Sequence, residues 1–69
     1  EGQLRVSTSN NSIISNFQAY NLLGKLLIDK SPNKNFLISS TNNISEGTIL
    51  IIRTTLLSGE VLTKKIILH

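Results

Sequence analysis

The chain has no cysteine, one proline and three aromatic residues among its 69 positions. Without cysteine, neither a disulfide nor a thiolate metal site can stabilise the fold, so a hydrophobic core must do so near the lower size limit at which a core suffices. No segment approaches the roughly 20 consecutive apolar residues that cross a bilayer, and no charged-then-apolar leader begins the chain. Direct insertion into a membrane is therefore not expected.

Charged residues are also few. Seven Lys and Arg stand against four Asp and Glu, which gives a formal net charge of +3. The basic residues are spread along the chain and the aromatic residues show no RNA-binding or zinc-finger spacing, so we expect no nucleic-acid partner.

Residues that could carry catalysis are scarce and far apart in the sequence. The only histidine, His69, is the last residue of the sequence. Because the ends of a chain are generally disordered, we do not expect its ring to be held in a site. A catalytic or metal-binding carboxylate pair would have to converge in a pocket, and a chain this short hardly forms one. We therefore predict no enzyme, with no catalytic, metal or cofactor-binding residue. The four carboxylates fall at the terminus or in predicted turns: Glu1, Asp29, Glu46 and Glu60.

Composition favours strands over helices. Ile and Leu supply 21 residues, Ser, Thr and Asn supply 23, and alanine occurs once. Because the small polar side chains compete for backbone hydrogen bonds and isoleucine is stiff at χ1, this mixture disfavours a helix. The sequence predicts an all-β domain.

The last third of the chain carries the strongest pattern. Apolar runs at 49–52 and 61–68 flank a polar turn at Ser58, Gly59 and Glu60, which indicates an antiparallel hairpin. Gly59 can adopt the positive φ of such a turn. Because all four residues at 49–52 are apolar, we expect that strand to be central and covered on both faces.

The final strand contains two adjacent lysines that alternation assigns to opposite faces. Lys64 falls with Leu62 and Ile66, and Lys65 falls on the other side. Either a bulge changes the register there, or the strand runs past the edge of the core and both amines reach water.

Upstream, apolar segments alternate with turn-forming ones. Phe17 and Ala19 are expected on one face of their strand and Tyr20 on the other, and Ile44 is the apolar residue available to cover a long connection. Together with the hairpin, this spacing predicts a small Ig-like antiparallel β-sandwich of about six to seven short strands. The predicted strands are 3–7, 13–20, 25–28 and 36–39, and the predicted loops are 7–12, 21–24, 29–35 and 41–46.

The order of these blocks resembles the C-terminal sorting domain of proteins exported by the type IX secretion system of Bacteroidota. Family members combine a Y-N-x-x-G-K hairpin, a glycine-led strand and a final strand that ends in K-K-I. The Lys-Lys ending is similar to the type A form, and the resemblance covers nearly the whole chain. The matching residues are Tyr20, Asn21, Gly24 and Lys25, then Gly47 and Ile51, then Gly59, Lys64, Lys65 and Ile66.

The resemblance implies that the domain is a secretion signal and has no catalytic activity. Residues 1–69 would form one domain at the end of a larger protein, which agrees with a chain that opens at Glu1 rather than Met. The implied partners are the outer-membrane translocon, a shuttle β-barrel and a sortase-like peptidase that removes the domain. The cargo would pass through the periplasm and be secreted or held at the cell surface. Residues expected to contact this machinery are Lys64, Lys65, Gly47, Gly59 and Ile66.

Two other functions fit a small β-domain. It would serve either as an Ig-like adhesion module that binds a carbohydrate or a protein through its loops, or as a structural cap that stabilises the cargo. The predicted loops offer no Trp or Tyr to stack on a sugar, which disfavours the adhesion module.

Overall fold

The computed structural model describes residues 2–68, and within this range the chain forms six strands and no helix. These residues therefore contain no helix that is long and apolar enough to span a membrane. The all-β prediction is confirmed. The predictions for Glu1 and His69 fall outside the described residues. The strands are β1 (Gln3–Ser7), β2 (Ile14–Tyr20), β3 (Leu26–Lys30), β4 (Phe36–Ser40), β5 (Ile49–Leu56) and β6 (Val61–Ile67).

The strands form two antiparallel sheets of unequal width. The larger sheet has the order β3-β2-β5-β6, and the smaller one pairs β1 with β4. Each sheet presents one apolar face, and the two faces enclose the core, so the domain is a small β-sandwich as predicted.

The core is built mainly by β2 and β5. Phe17 and Ala19 of β2 are fully buried, as their spacing predicted. Tyr20 lies on the opposite face, where it is half-buried and its hydroxyl donates to Gln18 Oε1 at 2.9 Å. Ile44 packs against the core from its connection, also as predicted. The buried apolar residues are Ile14, Phe17, Ala19, Ile28, Leu37, Leu50, Ile52, Leu56 and Leu68.

Strand β5 is central, between β2 and β6, which confirms the position predicted from its apolar run. Its two faces are not equally covered, however. Leu50 and Ile52 are buried, whereas Ile49 and Ile51 are only half-buried. The prediction of full cover on both faces was wrong because the outer face has no second layer, and cross-strand neighbours such as Tyr20 shield those side chains only laterally.

Strand β3 extends further than predicted, since residues 29 and 30 belong to the strand and not to the loop. Asp29 pairs with Gln18 and Lys30 pairs with Phe17 of β2. Asn16 adds a hydrogen bond from its Nδ2 to Asp29 Oδ1 at 3.1 Å. Pairing with an existing strand therefore overrides the low β-propensity of an Asp-Lys pair.

The turn between β2 and β3 is organised by Asn21. Its Oδ1 accepts hydrogen bonds from the backbone N–H of Leu23 and of Lys25, each at 2.9 Å. Gly24 completes the turn with a φ of +87°. The predicted loop at 21–24 is confirmed. The Asn21 side chain accepts hydrogen bonds from two N–H groups that have no backbone acceptor in such a tight turn.

We expect Asn21→Ala to lower the free energy of unfolding by about 1 kcal/mol, because two backbone donors lose their acceptor. Urea unfolding followed by circular dichroism measures this loss. Asn21→Asp is the matched control, since it keeps the Oδ1 acceptor and should lose clearly less. Equal losses for the two variants would show that this acceptor does not hold the turn.

Candidate interaction surface

The feature that stands out is the edge strand β6. It pairs with β5 on one side only, and every residue from Val61 to Ile67 except Ile66 is exposed. Leu62 is 48% exposed and Ile67 is 54% exposed. An edge strand with an unpaired row of backbone groups and exposed apolar side chains is a template for pairing with another chain.

The two lysines lie on opposite faces of this strand. Pairing between β5 and β6 runs without interruption from Ile49↔Ile67 to Thr55↔Val61, so no bulge is present. The strand does not run past the core either, because Ile66 and Leu68 beyond the lysines still pack against it. Both lysines are exposed, as the second alternative predicted, but the reason is that β6 is the edge strand of its sheet. Lys64 stands opposite the buried Ile52 and so belongs to the sandwich side, whereas Lys65 stands opposite Ile51 on the outer side.

The five predicted contact residues do not form one cluster. Gly47 donates its N–H to the Leu68 carbonyl at 2.7 Å, which ties it to the end of β6 near Ile66. Gly59 lies in the turn at the other end of the hairpin, five residues or roughly 16 Å from Lys64 along the strand. The structure thus brings Gly47 toward Lys64, Lys65 and Ile66 but separates Gly59 from them.

Both glycines have a backbone conformation that other residues rarely adopt. φ is +88° at Gly47 and +97° at Gly59. A Cβ built at either position meets nothing within 4 Å, so the requirement comes from the backbone and not from crowding. The Gly59 turn predicted from the sequence is confirmed: its N–H donates to the Leu56 carbonyl at 2.9 Å.

A cleft that the sequence does not predict lies beside β6. It has a volume of about 440 Å³ and lies between β1 and the β5–β6 hairpin, with Leu4 and Val6 on one side and Leu62, Lys64 and Ile66 on the other. A second cleft of about 350 Å³ shares Val6 and Leu62 with it and continues to Glu60. No local signal could have revealed this groove, because it exists only where two distant strands lie near each other without pairing. We call the two clefts together the β1–β6 groove.

A more polar cleft of about 470 Å³ opens on the opposite side, between β3 and β4. Asp29 and Lys30 line it on the β3 side, with Ser39 and Ser40 on the β4 side. Among residues 2–68, no three His, Cys, Asp or Glu side chains are close enough together to hold a metal ion.

Comparison with known proteins adds the family. No curated protein and no solved structure matches the chain. A family model matches residues 1–68, nearly the entire sequence. The chain therefore belongs to the family described as Domain of unknown function (DUF8694).

Proposed function

We propose that this domain is a C-terminal secretion signal that directs a folded cargo protein across the outer membrane through the type IX secretion system. The observation that carries the proposal is the exposed edge strand β6 with its adjacent lysines, Lys64 and Lys65. These lysines belong to the block of the sequence that resembles the end of type IX sorting domains. A compact sandwich that offers a free edge and few charged groups suits recognition by surface contact and needs no catalytic centre.

The lysine pair supports recognition because both amines point into solvent from one short stretch of backbone. Lys64 projects on the sandwich side and Lys65 on the outer side, so a receptor that surrounds the edge would contact both. Carboxylates on the receptor would steer the domain toward it and orient the strand. In this proposal the partners are the outer-membrane translocon and the shuttle β-barrel, and a sortase-like peptidase removes the domain after transit through the periplasm.

A fluorescent protein that carries a periplasmic leader and this domain at its C-terminus tests the proposal. In a bacterium with a type IX system, we expect the fusion in the medium or on the cell surface, and in the periplasm when the translocon is deleted. The double variant Lys64→Glu/Lys65→Glu should lower export at least tenfold, because charge reversal turns attraction at the receptor into repulsion.

The matched control is Lys30→Glu/Lys34→Glu, which makes the same charge change at two exposed lysines on either side of the β3–β4 loop, outside the blocks that resemble the signal. This control should be exported like the unaltered fusion. The thermal unfolding midpoint of each purified domain verifies that both variants fold. Export that is independent of the domain or of the translocon would refute the sorting role, and equal loss in both double variants would refute recognition at β6.

A further inference from the structure

The smaller sheet is two strands narrower than the sheet it covers. β1 and β4 lie over a sheet with the order β3-β2-β5-β6, and the β1–β6 groove runs along the uncovered side. Its floor includes Ile52, Leu62 and Ile66, and one wall is the free edge of β1. The groove therefore occupies the position that a third strand of the smaller sheet would fill.

The backbone of β1 is prepared for such a strand. The Gly2 carbonyl accepts a hydrogen bond from the Thr41 N–H, and the Thr8 N–H donates to the Asn35 carbonyl. The backbone N–H and C=O groups of the even-numbered residues of β1 therefore point toward β4. In an antiparallel ladder the intervening residues point their N–H and C=O groups the other way. Arg5 and Ser7, which both line the groove, therefore present unpaired backbone groups to it.

The charges of the groove specify what fits. Lys64 lies between the apolar Leu62 and Ile66 on the groove side of β6. The carboxylate of this groove, Glu60, lines its far end. A strand that covers the Lys64 end thus needs apolar side chains over Leu62 and Ile66 and a carboxylate between them.

We propose that the β1–β6 groove binds an extended acidic peptide segment of another protein, which adds to β1 as the third strand of the smaller sheet. Its inward side chains alternate apolar, acidic, apolar, and the acidic one pairs with Lys64. Pairing of two copies through their β1 strands fits less well, because β1 reads Gln-Leu-Arg-Val-Ser and contains no carboxylate to meet Lys64. Pairing of two β1 edges would also bring two Arg5 side chains directly or diagonally opposite each other.

This proposal does not depend on the sorting role, since it concerns the backbone of β1 and is tested with purified protein. The probe is the blocked peptide Thr-Val-Thr-Glu-Thr-Val-Thr, titrated into the 15N-labelled domain. We expect amide hydrogen exchange at Arg5 and Ser7 to slow at least tenfold at saturation, because strand addition gives those N–H groups partners. The same peptide with Lys in place of Glu should bind roughly fivefold more weakly, as expected for reversing an exposed charge pair.

The two lysines provide matched variants. Lys64→Glu should reverse the preference, so that the Lys peptide binds better, whereas Lys65→Glu on the outer face should leave the preference for the Glu peptide in place. Both positions are exposed, and the unfolding midpoint checks that each variant folds.

Three outcomes would overturn the proposal. Slowed exchange at Thr63 and Lys65 with none at Arg5 would place the peptide on the β6 edge, because the odd-numbered residues of β6 face away from β5. If exchange at the Arg5 amide slows as the protein concentration rises in the absence of peptide, that result would identify a second copy of the chain as the occupant of the groove. Equal binding of the Glu and Lys peptides would remove the role assigned to Lys64.

Discussion

Phe17→Ala is expected to lower the free energy of unfolding by about 3–5 kcal/mol, which is the usual cost of truncating a buried phenylalanine. Phe17 is the largest of the fully buried side chains among residues 2–68. A domain of this length has a total stability of only about 3–10 kcal/mol, so the variant should be largely or wholly unfolded at 37 °C. Urea and thermal unfolding followed by circular dichroism measure the loss.

Phe36→Ala provides the control, since the same atoms are removed from a side chain that is 47% exposed. Lys34 Nζ lies 5.5 Å from the centre of the Phe36 ring. We expect a loss of about 1 kcal/mol, because about half of the Phe36 side chain is already in solvent and an exposed cation–π pair adds little. A comparable loss at the two positions would mean that Phe17 does not organise the core.

Leu50→Asp is expected to abolish cooperative unfolding, because the domain should not fold at neutral pH. Leu50 is fully buried on the inner face of the central strand β5. An ionised carboxylate there would lose its water without gaining a partner, at a cost that exceeds the stability of a small domain. Thermal unfolding with a near-ultraviolet or NMR readout reveals whether tertiary structure remains.

Ile51→Asp shifts the same substitution by one residue and places it on the outer face. Ile51 is half-buried and stands opposite Lys65 of β6, so the new carboxylate would face an amine. We expect a change within about 1 kcal/mol, as for cross-strand charge pairs. Because a slip of one residue exchanges the two faces, a folded Leu50→Asp together with an unfolded Ile51→Asp would show that the register of β5 is wrong.

Several features followed from the sequence because their causes are local. The alternation of Phe17 and Ala19 against Tyr20 identified the core face of β2, since side chains alternate across a strand. The turns at 21–24 and around Gly59 followed from residues that accept positive φ or cap a reversal. The central position of β5 was predicted correctly from its uninterrupted apolar run, although the cover on both faces that the run predicted is missing on the outer side.

The sites of interest were predictable only in part. Lys64 and Lys65 were identified from the sequence as an irregularity in the last strand, but only the pairing with β5 showed that they lie on an edge strand without a bulge. Likewise, the extension of β3 through Asp29 depended on β2 as its partner. In both cases a residue's environment was decided by a strand distant in the sequence.

The sequence by itself thus determined the all-β class, an approximate count of six to seven strands and the turns at 21–24 and around Gly59, because side-chain alternation, β-branching and glycine φ act over a few residues. Only the tertiary structure decided that β1 pairs with β4 and leaves its other edge free beside β6. That choice creates the β1–β6 groove and exposes both faces of β6. It depends on which of several similar strand edges come together during folding. Backbone hydrogen bonds between strands are nearly the same for every residue type, so the local sequence hardly specifies which strands will pair.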